Sequence, residues 1–176
     1  MWWSDRRRLL GLLAAAPLAG CGFTPALAPG APATALRGRI RAEDPTDRDG
    51  AAFVQRLEER LGRPSAPAWE MDWTPQVTET LLGLQPGLGE TRGQLTGTLR
   101  WDLRPLGGET PVAQGIARQS AGFSRTATPL ADRAAAEDAR RRLMILLADA
   151  VVAELLATAA DWAGDGPGNL SVDGAT

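Results

Sequence analysis

The chain has 176 residues, a formal net charge of -2 and no histidine, tyrosine or lysine, so all 19 of its basic residues are arginine. Without histidine neither Ser-His-Asp nor Cys-His nucleophilic machinery can be assembled, and a single cysteine excludes an intramolecular disulfide and the common zinc sites. The near-neutral balance gives no support to nucleic-acid binding, which needs a basic surface.

The first element is Arg6-Arg7-Arg8, followed by an apolar stretch over residues 9–18 and then Leu18-Ala19-Gly20-Cys21. That order reads as a bacterial lipoprotein signal spanning residues 1–20. The arginines stay on the cytoplasmic side, the apolar stretch enters the membrane, and small residues let a peptidase reach the bond before Cys21. The stretch is about ten residues against the ~20 needed to span a bilayer, and Pro17 ends it. Cys21 is therefore the candidate lipidation site, anchoring the protein to the membrane through its acyl chains. The plainer alternative is a secretory signal that happens to precede a buried cysteine. Arg6-Arg7 suits the twin-arginine route as well as the general one. Gly22 stands where an inner-membrane retention aspartate sits in the enterobacterial sorting pattern that this segment resembles. An outer-membrane location facing the periplasm is expected. Residues 21–34, with Pro25, Pro29, Gly30 and Pro32, read as a semi-extended tether.

Residues 35–163 carry the periods of one domain. Leu36, Gly38, Ile40 and Ala42 alternate with Arg37, Arg39, Arg41 and Glu43, the pattern of a half-buried first strand. Phe53, Val54, Leu57 and Leu61 follow a helical period, which Asp47 or Asp49 can open and Gly62 with Pro64 can close. Trp69, Met71 and Trp73 alternate with Glu70, Asp72 and Thr74 in a second strand that can continue through Val77 to a glycine-rich loop at 83–89. Leu95, Gly97, Leu99, Trp101 and Leu103 alternate with polar residues from Gln94 to Arg104, the clearest strand in the chain. Pro105-Leu106-Gly107-Gly108 marks a turn, and residues 112–125 return as a fourth strand with Gly115 and Gly122 as expected bulges or bends. Thr128 and Pro129 open a long helix to about Trp162. Its stripe of Leu143, Leu147, Val151 and Leu155 is widened by Met144, Ile145 and Leu146, so both sides of that turn should be covered. Asp149 and Glu154 interrupt it and argue against a membrane span. Residues 164–176, rich in turn formers, are expected to be a disordered tail.

The order β-α-β-β-β-α predicts an α+β fold: a two-layer α/β sandwich with two helices on one face of a four-stranded, mainly antiparallel sheet. Trp69, Trp73 and Trp101 fall on the apolar parity and read as core rather than as stacking platforms for a ligand. On the polar parity, Arg37, Arg39 and Arg41 would form a file at about 6.6 to 7 Å spacing, able to hold phosphates bidentately, with Arg100 and Arg104 as a second pair. The bland alternative is a solvated face whose arginines meet Glu70, Asp72 and Asp102. The acidic neighbours Glu58-Glu59 and Glu137-Asp138 do not face each other on a helix, so carboxylate catalysis has no evident pair. The chain is expected not to be an enzyme and to need no metal or cofactor.

Taken together, the lipobox with Cys21-Gly22-Phe23-Thr24-Pro25, the tether, this order of elements and the closing Arg142-Leu143-Met144-Ile145-Leu146-Leu147-Ala148-Asp149 resemble the LPS-assembly lipoprotein LptE family in its alphaproteobacterial form. The resemblance runs to about Trp162. It implies a plug-like subunit inside the large outer-membrane β-barrel LptD, assisting barrel assembly and lipopolysaccharide delivery to the outer leaflet. The family's lipopolysaccharide-contacting basic residues do not map onto this chain position by position, and the sequence offers its own candidates for that contact in Arg37, Arg39, Arg41, Arg100 and Arg104. An auxiliary or ligand-binding lipoprotein of another envelope transport system is the alternative, and a carboxylate-only glycosidase would require two acids facing across a cleft.

Overall fold

The computed structural model describes residues 30–85, 89–125 and 128–163; the signal, Cys21 and the tail expected from residue 164 lie outside the described residues. After a 3-10 turn at Pro32–Leu36, the elements are β1 (Ile40–Ala42), α1 (Arg48–Leu61), β2 (Trp69–Gln85), β3 (Gly89–Pro105), β4 (Ala113–Ser124) and α2 (Pro129–Trp162). The sheet order is β1-β2-β3-β4, with β1 parallel to β2 and the other pairs antiparallel. The α+β class and the element order match the expectation, and both helices lie on one face of the sheet.

Local chemistry explains the boundaries. Asp47 caps α1 by accepting a hydrogen bond from the Gly50 N–H at 2.6 Å, and Gly62 ends it at φ +86°, a conformation open to glycine at little cost. Helix α2 starts as expected at Thr128 and Pro129. Strands β2 and β3 are longer than their apolar alternation predicts, and they pair from Trp69↔Pro105 to Gln85↔Gly89, interrupted only at Gly83 and Thr91, where Gly83 takes φ +74°. In that outer part Thr74, Thr78 and Thr80 supply strand propensity without hydrophobicity.

Several expectations need correction. The first strand shrinks to Ile40–Ala42, because Pro32–Leu36 turns as a 3-10 helix and Gly38 sits at φ +66°. Packing also begins before the tether's expected end, since Ala33 is buried. Neither Gly115 nor Gly122 is a bulge, for β3 and β4 pair in one unbroken register from Arg92↔Ser124 to Leu103↔Ala113. Gly115 is small for another reason: a Cβ there would meet the Glu154 carboxylate at 2.6 Å and Trp101 at 2.8 Å.

The core lies between the helices and one face of the sheet. Leu95, Leu99, Trp101 and Leu103 of β3 are buried under Leu143, Leu147, Val151 and Leu155 of α2, each side chain contributing roughly 1.5 to 3 kcal/mol. Gly97 lets α2 approach closely, since a Cβ there would lie 3.0 to 3.2 Å from Leu147 and Leu143. Phe53 of α1 packs on Trp73 at 4.8 Å between ring centroids, and Trp162 meets Trp69 edge-on at 5.7 Å. All three tryptophans of the sheet thus face the helices. The turn at Met144, Ile145 and Leu146 is covered on one side only: Met144 is buried while Leu146 is 41% exposed. By length and composition α2 could cross a membrane, yet its Leu143 to Leu155 stripe is consumed by the sheet.

Candidate functional site: the open face of the sheet

The face opposite the helices is set by strand parity. In β3 it carries Arg92, Gln94, Thr96, Thr98, Arg100, Asp102 and Arg104, and the register places Glu70, Asp72, Thr74, Gln76, Thr78 and Thr80 of β2 beside them. From β4 come Gln114, Ile116, Arg118, Ser120 and Ser124. No described element covers this face, so a sheet with a packed side and a polar side results.

Charge divides the face into two zones. Near β1, Arg41 pairs with Glu70 and Arg104 pairs with Asp72. These exposed pairs compensate one another and contribute little to stability. Farther along, Arg92, Arg100 and Arg118 stand among threonine, glutamine and serine, and no acidic residue occupies the open-face positions over residues 94–100 of β3, 74–80 of β2 or 116–122 of β4. None of the three makes an ion pair among the described residues.

The expected arginine file does not form. Arg37 caps the 3-10 turn, Gly38 breaks the strand, and the Arg39 guanidinium lies 5.0 Å from the Trp69 ring centroid in a cation–π contact. Of that file only Arg41 stands on a strand, so Arg41, Arg100 and Arg104 share the open face while Arg37 and Arg39 do not join them as a file. Sequence reading missed Arg92 and Arg118. The parity of β4, Gln114, Ile116, Arg118 and Ser120 against Ala113, Gly115, Ala117 and Gln119, held the signal for Arg118, and the length of β3 held it for Arg92.

The helix layer uses its charges structurally. Arg56 of α1 donates to both carboxylate oxygens of Asp149 at 3.0 and 3.1 Å and also reaches Glu59, and these hydrogen bonds raise its pKa further above neutrality. Glu58 and Glu59 pair with Arg63 and Arg56, and Glu137 and Asp138 with Arg48 and Arg142, so each acidic neighbour is held by its own cation. A cavity of about 800 Å³ opens between the first half of α2 and the ends of β3 and β4, with Phe123, Ala131 and Ala135 as apolar lining and Arg92, Asp138 and Arg142 at its polar side.

Solved structures share this architecture. A protein named as a lipoprotein from Caulobacter crescentus superposes with a TM-score of 0.59 at 18% identity, covering 73% of this chain and 96% of its own. Rare lipoprotein B from Shewanella oneidensis gives 0.54 at 15% identity over 70% and 96%, and a minor lipoprotein from Acinetobacter baumannii 0.52 at 13% over 68% and 90%. The fold is one that bacterial lipoproteins adopt. At these identities the likeness concerns the fold alone. No protein-family model and no curated protein sequence matches the chain.

Proposed function

We propose that this chain is an outer-membrane lipoprotein, lipidated at Cys21 and facing the periplasm, that helps an LptD-like β-barrel assemble, plugs it, and assists lipopolysaccharide delivery to the outer leaflet. The observation that carries the reading is the open face: a long, polar, uncovered sheet surface is what a protein needs to sit in a barrel, because barrel interiors are polar. The lipoproteins from Caulobacter crescentus, Shewanella oneidensis and Acinetobacter baumannii share the fold, which supports the lipoprotein part of the reading. The protein acts by binding and not by catalysis. Among the candidate arginines on the open face, Arg100 is the one that makes no ion pair among the described residues and so is available to a lipopolysaccharide phosphate, since Glu70 and Asp72 already neutralise Arg41 and Arg104.

Affinity capture from detergent-solubilised outer membrane tests this. A large β-barrel protein should co-purify, and its absence under conditions that keep the bait folded would reject the plug role. Capture of other transport components, with a small lipid in the Phe123 cavity, would favour an auxiliary ligand-binding lipoprotein instead.

A further inference from the structure

The two edges of the sheet are not alike. On the β2 side, β1 covers only the first residues, and the Trp69 N–H and Met71 carbonyl point outward to it, bonded to the Arg39 carbonyl and the Glu43 N–H. The same parity aims the backbone nitrogen of Pro75 outward, where proline has no hydrogen to donate. Added strands are thereby discouraged beyond β1. On the β4 side nothing comparable stands guard. The Arg125 N–H bonds inward to Thr91, and in the unbroken register this parity turns the backbone groups of Gln114, Ile116, Arg118, Ser120 and Gly122 outward. The Gly122 carbonyl accepts from Arg142 at 3.2 Å, as an outward carbonyl can. Strand β4 contains no proline and no bulge.

We infer that the outer edge of β4 is a strand-addition site for an acidic, extended polypeptide segment of a partner protein. Two features on opposite sides of that edge select the occupant. A strand laid beside β4 sends alternate side chains to the open face, where Arg118, with Arg100 on the next strand, meets them, and no acidic residue occupies the open-face positions over residues 94–100 of β3 or 116–122 of β4. The intervening side chains point to the helix side, where the cavity beside Phe123, Ala131 and Ala135 can take an apolar group. Backbone pairing would supply the hold and the two sides the selectivity. The inference concerns the edge and its partner's chemistry, and it stands or falls independently of the barrel reading.

The test uses the lipidated full chain in detergent and a short blocked peptide of alternating glutamate and valine, read by hydrogen exchange over residues 113–124. Binding should slow exchange there and leave residues 74–80 of β2 unchanged. The same peptide with alternate amides N-methylated should not bind. Arg100→Gln with Arg118→Gln should weaken binding by about tenfold or more. Ser120→Pro removes an outward N–H, as Pro75 does on the other edge, and should abolish it; if that variant does not fold, the arginine pair decides. Equal binding of the methylated peptide, equal slowing on β2, or inorganic polyphosphate binding that matches the peptide without protecting β4 would each overturn the inference. So would a free protein whose β4 amides are already protected in a concentration-dependent dimer.

Discussion

The two faces of this sheet are built from the same strands and obey opposite rules. On the helix side, every second residue of β3 from Gly93 to Leu103 is buried, glycines are placed where a side chain would collide, and tryptophans fill the space between layers. On the open side the alternate residues are mostly threonine, glutamine, serine, arginine and a few acids, and no described element is laid over them. The first face specifies the fold and the second is left to specify a partner. Mutations should therefore separate the faces cleanly, with stability read on one and binding on the other.

The largest effect belongs to Leu147→Asp. An unpaired charge would enter the fully buried contact with β3, and a loss of more than about 4 kcal/mol should unfold the domain. A thermal melt close to the parent's would show that α2 does not pack as described. Gly97→Val comes next: its new side chain would collide with Leu143 and Leu147, and about 1 to 3 kcal/mol should be lost in denaturant titration. On the open face, Arg104→Gln breaks the pair with Asp72 and should change stability by no more than about 1 kcal/mol. A larger loss would mean that this face carries part of the fold. The smallest effect is a pH dependence. Burial raises the Asp49 pKa, and Asp47 adds to it, against the lowering effect of Arg140 and Arg48. The ionised carboxylate therefore costs stability near neutral pH, and that cost fades as pH falls through the raised pKa. Asp49→Asn should be as stable as the parent or slightly more so at neutral pH, with the advantage shrinking in acid. An advantage that grows in acid would contradict the assignment.

The helix-side face was legible in the sequence because burial imposes a period, and the parity of Leu95 to Leu103 and the stripe of Leu143 to Leu155 translate directly into contact. The open face was legible only where polar residues alternate with apolar ones. At the start of β3, Gly89 to Gly93 hold no apolar residue to mark a period, so the strand reads as beginning at Gln94 and Arg92 falls outside it. The arginine file failed for a local reason: alternation over residues 36–43 looks like a strand, but Pro32 favours a 3-10 start and Gly38 takes up a positive φ. Arg118 went unnoticed because its company on the open face depends on pairing across β3, which no single segment reveals.

The central claim is that the open face is where this protein meets its partner. A photo-activated crosslinker at Thr96, in the middle of that face, tests it in intact cells. The account predicts a covalent adduct to a large outer-membrane β-barrel protein. A folded, membrane-anchored protein that gives no such adduct from Thr96 would contradict it.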